Sequence, residues 1–218
     1  MPMSEEVSIA NWFVTYSGTA FEVIGTLAFA ISGLLEAARK KLDIVGMAMV
    51  TFLAAFGGGT LRDVLLDRRP FFWVENEIWI WAVLVLSALA LLFVRTSHLE
   101  PTRRATAWPD AIGLGIFTAG GTQIALQAGM PAIVAVIMGV ITAVFGGVLR
   151  DVVVNEIPRA FVDHQPYSAI AFAGGWVVVL LSAIGASAFV SVVVGAVVIT
   201  GLRFLAIIFS WRLPTWKL

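Results

Sequence analysis

The sequence contains no cysteine, and its two histidines, His98 and His164, lie far apart in polar stretches. A chain without thiols forms no disulfide bond, no thiolate nucleophile and no cysteine-ligated metal site. Two separated histidines are also too few for a zinc or di-iron centre. We therefore expect neither a bound metal ion nor a cofactor.

Charged residues are scarce as well. They make up 13% of the 218 residues, whereas a soluble domain carries about 25%. The 14 lysine and arginine residues are balanced by 14 aspartate and glutamate residues, so the chain has no long-range field that would attract a phosphate polymer. This composition excludes an ordinary soluble domain, and it excludes nucleic acid as a partner.

What the sequence does contain is apolar: 60% of its residues are hydrophobic, and the mean hydropathy is +0.95. The uncharged runs cover residues 44–61, 78–94, 111–149 and 164–202. Because a bilayer core takes about 20 helical residues, each of the two long runs holds two spans, with turns at Gly129-Met130-Pro131 and near Gly185. The pattern predicts an all-α membrane protein with seven transmembrane helices, at residues 17–38, 43–65, 76–95, 109–127, 131–153, 167–185 and 189–211.

The basic residues of the loops fall mainly on one side of these spans. Ten lie in loops on one face, three lie on the other face (Arg62, Arg68 and Arg69), and Arg203 lies in the last span. Because basic loops stay in the cytoplasm, we expect the N-terminus outside and the C-terminus inside. The acidic leader at residues 1–10 lacks a basic region, so we expect no cleavable signal peptide. The loops are too short for a catalytic domain, and we expect no enzyme.

The chain resembles itself at an offset of 88 residues. Residues 58–64, GGTLRDV, match residues 146–152, GGVLRDV, at six of seven positions, and the longer alignment of 22–70 with 110–158 has 13 identities in 49 positions. Shared composition explains scattered Gly, Ala and Val matches, but not a matched Arg-Asp pair. We interpret the match as a duplication within one membrane domain, residues 1–218. Its parts are repeat 1 at residues 17–95, repeat 2 at residues 109–185 and an unpaired seventh helix at residues 189–211.

Each repeat contains three predicted spans. Because this number is odd, the second repeat enters the membrane in the opposite direction to the first, which would place Arg62 at one face and its counterpart Arg150 at the other. Inverted repeats are typical of transport folds, in which the substrate site lies near the midplane between the two halves.

Consecutive glycines lie in the second and fifth spans. Glycine is about 1 kcal/mol less favourable than alanine inside a helix, so the motifs predict two symmetric kinks whose freed carbonyl groups face a polar pathway. The alternative is close helix packing, for which small residues are equally suited. The glycines are Gly57, Gly58, Gly59, Gly146 and Gly147.

An Arg-Asp pair follows each glycine motif: Arg62-Asp63 in the first repeat and Arg150-Asp151 in the second. One interpretation is that these charges line the two mouths of a pore, since ionisable groups inside a bundle are usually functional. The other is that they cap helix ends and extend to the lipid headgroups.

Two further acidic residues lie in the predicted spans. Glu22 is about five residues into the first span and is a candidate partner for an arginine of a neighbouring helix. Asp110 opens the fourth span, where the helix dipole favours an acidic cap. Several polar residues lie near the repeat cores, each able either to face a pore or to satisfy a hydrogen bond between helices: Ser32, Thr60, Thr118, Thr122 and Gln123.

The doubled motif at Phe56–Asp63 and Phe145–Asp151, in a chain of three plus three plus one helices, resembles the bacterial branch of the trimeric intracellular cation (TRIC) channel family. The resemblance covers essentially the whole chain. It implies a homotrimer in the plasma membrane, in which each protomer encloses its own pore beside the second and fifth helices, kinked at their glycines. One departure from the pattern is Phe145, which occupies the place of Gly57 and would make the second kink shallower.

The resemblance implies a channel for potassium and sodium, with membrane lipid and two further copies of the chain as partners. Some bacterial relatives are associated with uptake of glycine. The alternative function is therefore a small-amino-acid carrier that uses the same broken helices, one of whose N-termini would bind the carboxylate.

Overall fold

The computed structural model describes residues 3–75, 77–97, 102–162 and 165–214, and the side chains of residues 21–75, 77–90, 102, 104–161 and 165–214. The described residues form nine helices and no strand, which confirms the all-helical prediction. The helices are α1 (Met3–Arg39), α2 (Ile44–Leu65), α3 (Phe72–Glu75), α4 (Ile78–Ser97), α5 (Arg103–Gln127), α6 (Ala132–Val153), α7 (Arg159–Val162), α8 (Tyr167–Ala183) and α9 (Ala188–Ile208).

Two of the long helices begin earlier than predicted. α1 begins at Met3 rather than at residue 17, because neither glycine nor proline interrupts the chain between these positions. α5 begins at Arg103 rather than at residue 109, because the Thr102 side chain accepts a hydrogen bond from the Ala105 backbone N–H and caps the helix. Pro109 therefore lies inside α5.

Glycines form the two turns that were predicted inside the long uncharged runs. Gly129, between α5 and α6, has a φ of +75°, and Gly185, between α8 and α9, has a φ of +85°. A residue without a Cβ adopts this left-handed conformation without steric penalty. The turns at these two places are confirmed.

α5 is the central helix of the bundle. It packs against α1, α6, α8 and α9, while α2 packs against α1 and α6. Small and branched apolar residues of α5, such as Ala111, Leu114 and Ala119, are fully buried in these contacts. Because other helices surround it, α5 carries the buried Asp110 without exposing it to hydrocarbon.

Four of the described helices contain a segment long and apolar enough to cross a membrane: Phe21–Arg39, Ile44–Leu65, Ala132–Val153 and Ala188–Ile208. α4 and α8 contain shorter apolar segments, Ile78–Ala90 and Tyr167–Ala183. Large hydrophobic side chains on these helices, including Ile24, Val45 and Val197, are exposed on the outside of the bundle. Lipid is the environment that suits such a surface, so the protein is a multi-pass membrane protein.

Candidate functional site

α2 and α6 cross where their glycine motifs meet. A Cβ on Gly58 would stand 1.9 Å from the carbonyl oxygen of Thr142, and a Cβ on Gly146 would stand 2.4 Å from the carbonyl oxygen of Ala54. Gly58 and Gly146 are counterparts at the 88-residue offset, and so are Ala54 and Thr142. The contact is therefore reciprocal, as at an interface with two-fold symmetry.

Neither glycine motif interrupts its helix, so a bend at the predicted kinks would leave the helix unbroken. α2 is helical throughout residues 57–59, and α6 is helical throughout Gly146 and Gly147. The alternative interpretation, close packing, accounts for Gly58 and Gly146, and it also accounts for Gly59, where a Cβ would stand 2.5 Å from the Phe72 ring. The helices stay intact because packing against a neighbouring helix offsets the weak helix propensity of glycine.

Gly147 is the motif glycine that leaves room beside polar groups. A Cβ there would meet Arg150 Nη2 at 3.6 Å, Asp110 Oδ1 at 3.8 Å and the Tyr167 hydroxyl at 3.9 Å, all ordinary contact distances. Gly57, by contrast, accommodates the side chain of Leu149, whose Cδ1 would lie 2.7 Å from a Cβ. Gly57 and Gly147, each next to a glycine of the helix crossing, thus have different surroundings.

Arg62 is buried between α1 and α2, with a side chain that is 1% exposed. Its Nε donates a hydrogen bond to Asp63 Oδ1 at 2.8 Å, and its Nη2 lies 3.5 Å from Glu22 Oε1. Arg68 Nη1 lies 3.6 Å from the same Asp63 oxygen. An arginine that extended to the lipid headgroups would be exposed, so the interpretation of Arg62 as an interfacial cap is wrong. Glu22 takes the pairing position that the sequence suggested.

Arg150 repeats this arrangement more tightly. Its Nε donates to Asp151 Oδ1 at 2.8 Å, and its Nη1 donates to Asp110 Oδ1 at 2.8 Å and to Ser32 Oγ at 2.7 Å. Its side chain is 3% exposed, so it too is no interfacial cap. Asp110 lies seven residues inside α5, and its expected capping role is wrong because Thr102 caps that helix.

The aspartate of each pair also holds the chain that follows. Asp63 Oδ2 accepts a hydrogen bond from the Phe72 backbone N–H at 3.4 Å, and Asp151 Oδ2 accepts one from the Arg159 backbone N–H at 3.0 Å. These amides begin α3 and α7, the two single-turn helices. The Arg-Asp motif therefore orients an arginine and at the same time anchors the turn beyond its helix.

Each cluster combines one buried arginine with two carboxylates. The Arg62 cluster contains Glu22 and Asp63, and the Arg150 cluster contains Asp110 and Asp151. Burial of an arginine is tolerated because its charge is paired and hydrogen-bonded.

Sequence reasoning missed a second charged group around Glu36, which is completely buried. Arg39, one turn later on α1, and Arg159 of α7 both donate to the Glu36 carboxylate. Arg159 Nη1 also donates to Thr106 Oγ1 at 2.6 Å, and Arg39 Nη2 donates to Glu156 Oε1 at 2.7 Å. A carboxylate inside a predicted span, two residues before its end at residue 38, was the available signal, because buried acids in membranes have partners.

Two cavities lie beside the arginine clusters. The Arg62 cavity, of about 250 Å³, is lined by Arg62 and by residues of α1, α5 and α9, among them Glu22, Gly120, Gln123, Gln127 and Val192. The Arg150 cavity, of about 280 Å³, is lined by Arg150 and by residues of α5, α6, α8 and α9, among them Asp110, Gly147, Asp151, Tyr167 and Arg203. Val192 and Arg203 are 11 residues apart on α9, which corresponds to roughly 16 Å along the helix axis.

Of the other polar residues singled out in the sequence, Thr60 and Gln123 have hydrogen-bond partners, whereas the buried hydroxyl groups of Thr118 and Thr122 have none among the described residues. Thr60 Oγ1 donates to the Phe56 carbonyl oxygen at 2.8 Å and accepts from Trp73 Nε1 at 2.9 Å. Gln123 Oε1 accepts a hydrogen bond from Ser182 Oγ at 3.1 Å. Thr118 and Thr122 are fully buried on α5 and pack against Gly139 of α6.

Among the described residues, no three histidine, aspartate or glutamate side chains come together as a metal site. His98 and His164 lie outside the described residues.

The model of the family described as "Glycine transporter" matches the chain twice, over residues 19–95 and 107–183. Among solved structures, the TRIC trimeric intracellular cation channel orthologue from Rhodobacter sphaeroides superimposes with a TM-score of 0.82 and is 32% identical, covering 89% of this chain and 98% of that chain. The chain is a bacterial member of the TRIC family. A second TRIC structure, solved to explain conductance through these cation channels, has a TM-score of 0.81 and 32% identity over 92% of this chain and 97% of that chain.

The curated relatives place this TRIC family member in a membrane compartment. The "UPF0126 inner membrane protein YadS" of Escherichia coli strain K12 is 35% identical over 202 residues, which cover 90% of this chain and 95% of the relative. Together with the apolar helices, this relationship makes the present TRIC protein a multi-pass protein of the plasma membrane. The two matches to the family model begin 88 residues apart and end 88 residues apart, which is the offset of the internal repeat.

Proposed function

We propose that this TRIC protein is a channel for potassium and sodium ions, in which each protomer contains its own pathway between the Arg62 cavity and the Arg150 cavity. The observation that carries the proposal is the pair of cavities, each beside a buried arginine that is paired with two carboxylates. Acidic side chains line both cavities, Glu22 in one and Asp110 and Asp151 in the other, and acidic side chains along a pathway favour cations. The solved relatives, titled as TRIC cation channels, support the same class of substrate.

The proposed pathway differs from the one expected from sequence in what lines it. α2 contributes Arg62 to one cavity, and α6 contributes Gly147, Arg150 and Asp151 to the other. α5 and α9 line both cavities and complete the wall between them. The role assigned to the glycines also changes: Gly58 and Gly146 let α2 and α6 approach, and Gly147 leaves space for the pathway.

The proposal includes seven spans arranged as two inverted repeats, residues 17–95 and 109–185, with the last helix at residues 189–211 unpaired. The reciprocal contacts of Gly58 and Gly146 support a two-fold relation between the halves. The excess of basic residues in the loops on one face supports an N-terminus outside and a C-terminus in the cytoplasm. The homotrimer is part of the same proposal, supported by the word trimeric in the name of the Rhodobacter relative.

The test is the conductance of the purified protein in planar bilayers with potassium and then sodium as the cation. We expect discrete current steps, and we expect the Asp110→Asn variant to carry several-fold less current, because the Arg150 cavity loses a carboxylate and its lining becomes more positive. Asp67→Asn is the matched control: Asp67 is exposed, belongs to neither cluster and has a φ of +51°, which asparagine also adopts readily. Absence of current steps, or equal currents in the two variants, would contradict the proposal.

A glycine carrier is the second candidate, favoured by the description of the matching family model. The Arg62 cavity contains the two charges that a zwitterion needs, a guanidinium for its carboxylate and the Glu22 carboxylate for its ammonium group. Uptake of radiolabelled glycine into proteoliposomes, measured on the same preparation, separates the two functions. Saturable glycine uptake without current steps would replace the channel with a carrier.

A further inference from the structure

The two ends of the proposed pathway share an Arg-Asp pair but differ in what surrounds it. At the 88-residue offset, Ser32 corresponds to Gly120 and Glu36 corresponds to Ile124. The polar residues of these pairs belong to the Arg150 end, and their counterparts line the Arg62 cavity. The duplication has therefore left one end with hydrogen-bonding groups that the other end lacks.

The Arg150 end is held by several charged groups acting together. Ser32 Oγ accepts from Arg150 Nη1 at 2.7 Å and lies 3.1 Å from the Thr106 carbonyl oxygen. The Glu36 carboxylate, four residues later on α1, binds Arg159 of α7. These contacts tie α1, α5, α6 and α7 to one another, so a movement at this end has to break several charge-assisted hydrogen bonds at once.

Fewer and longer contacts between helices hold the Arg62 end. Its interhelical pair, Arg62 with Glu22, has an N···O distance of 3.5 Å, compared with 2.8 Å for Arg150 with Asp110. The Glu22 side chain is 32% exposed, whereas that of Asp110 is 9% exposed. At Gly120, the counterpart of Ser32, a Cβ would meet no described atom within 4 Å. The Arg62 end therefore has open space where the Arg150 end has the Ser32 hydroxyl.

We propose that the Glu22–Arg62 contact is the gate of the protomer, and that the Arg150 end is a fixed vestibule held by Ser32 and Glu36. The proposal rests on the pathway described above, and it names the end that opens. Opening separates Glu22 of α1 from Arg62 of α2 and admits water to the floor of the Arg62 cavity. Gly120 keeps this contact weak, because a hydroxyl in its place would give Arg62 a second partner on a neighbouring helix, as Ser32 gives Arg150.

The test measures access to each cavity and needs no ion flux. Because the chain has no cysteine of its own, all labelling comes from the single reporter cysteine that is introduced. Val192, 7% exposed, reports on the Arg62 cavity, and Ile207, 6% exposed, reports on the Arg150 cavity. Each reporter is combined with Glu22→Gln or Gly120→Ser, and the rate of labelling by uncharged methyl methanethiosulfonate is measured in proteoliposomes.

We expect Glu22→Gln to speed labelling at the Val192 reporter and Gly120→Ser to slow it, each by roughly tenfold, the effect of one charged hydrogen bond on a two-state equilibrium. Labelling at the Ile207 reporter should stay unchanged in both variants. Gly120→Ser has space for its side chain, so it tests the gate without a steric cost to folding. Size-exclusion chromatography of each variant confirms that the assembly is intact.

Three results would overturn the gate: no change at the Val192 reporter in either variant, changes of the same sign in both, or equal changes at the Ile207 reporter. A labelling pattern as expected, in a protein that shows no cation current, would keep the gate and reject the channel. Cation current with unaltered labelling would keep the channel and reject this gate.

Discussion

Gly58 of α2 lies directly against the carbonyl oxygen of Thr142 on α6, so close that a Cβ on residue 58 would stand 1.9 Å from that oxygen. The carbonyl belongs to a helix backbone and cannot rotate away as a side chain would. We therefore expect Gly58→Ala to lower the free energy of unfolding by about 1–3 kcal/mol, the usual cost of overpacking. Thermal unfolding in detergent, followed by circular dichroism, measures the change.

Gly147→Ala is the matched control for that experiment. The added methyl group would have no neighbour closer than 3.6 Å, and alanine is about 1 kcal/mol more favourable than glycine within a helix. Gly147→Ala should therefore unfold at the same temperature as the parent or above it. Equal midpoints for Gly58→Ala and Gly147→Ala would contradict the packing role of Gly58.

A large residue at position 147 should block the pathway without disturbing assembly. Gly147 lines the Arg150 cavity, so Gly147→Leu fills space there while leaving the crossing of α2 and α6 untouched. We expect the current to fall to a small fraction of the parent value, with an unchanged elution volume on size-exclusion chromatography. Full current through a well-assembled Gly147→Leu variant would show that the Arg150 cavity lies outside the pathway.

Ser32→Ala tests the hydroxyl that joins α1 to Arg150. The variant loses the 2.7 Å hydrogen bond from the guanidinium, so we expect a loss of about 1–3 kcal/mol in the free energy of unfolding. Ser87→Ala is the control, because the buried Ser87 hydroxyl donates to the Val83 carbonyl oxygen of its own helix, a bond whose loss costs little. Denaturant titrations in detergent should show a clear shift for the first variant only.

The proposed inverted arrangement of the repeats predicts that equivalent loops lie on opposite sides of the membrane. Arg69 and Ile157 are counterparts at the 88-residue offset, and both are exposed. In intact cells, an impermeant maleimide should label Arg69→Cys, whereas Ile157→Cys should react only after the membrane is made permeable. Labelling of both from the same side would show that the repeats are parallel.

The proposed pore in each protomer predicts that the subunits conduct independently. Trimers assembled from mixtures of parent chains and Gly147→Leu chains should carry current in proportion to the fraction of parent chains. Tagging the two chains differently allows the mixed species to be purified and their composition measured. Complete loss of current in trimers that contain a single blocked subunit would indicate one shared pore instead.

The long helices and their order could be predicted from sequence because they depend on local properties. Uncharged runs placed α2 and α6 to within one residue at each end, and glycine placed the turns at Gly129 and Gly185. The predicted starts of two helices were wrong, because a local signal for the start was absent or was outweighed by another. α1 continues to Met3 where no residue stops it, and the Thr102 cap starts α5 six residues before Pro109.

The sequence identified some residues of the candidate site but not their contacts. The offset of 88 residues identified the Arg62 and Arg150 pairs, since a repeated charged motif stands out in an apolar chain. It gave no indication that the two arginines are buried, nor that Glu36 binds Arg159 from 123 positions away. Contacts over such separations depend on how the helices pack, and the offset alone contains no information about packing.

The membrane class of the protein, its duplication and its charged motifs were thus determined by the sequence itself, because hydropathy, periodicity and identity are properties of residues along the chain. Tertiary structure decided what the glycines do. A glycine weakens a helix wherever it stands, but only the neighbour it faces determines whether it becomes a break, a contact or an open space. Gly58 faces a backbone carbonyl and brings two helices together, whereas Gly147 faces a cavity.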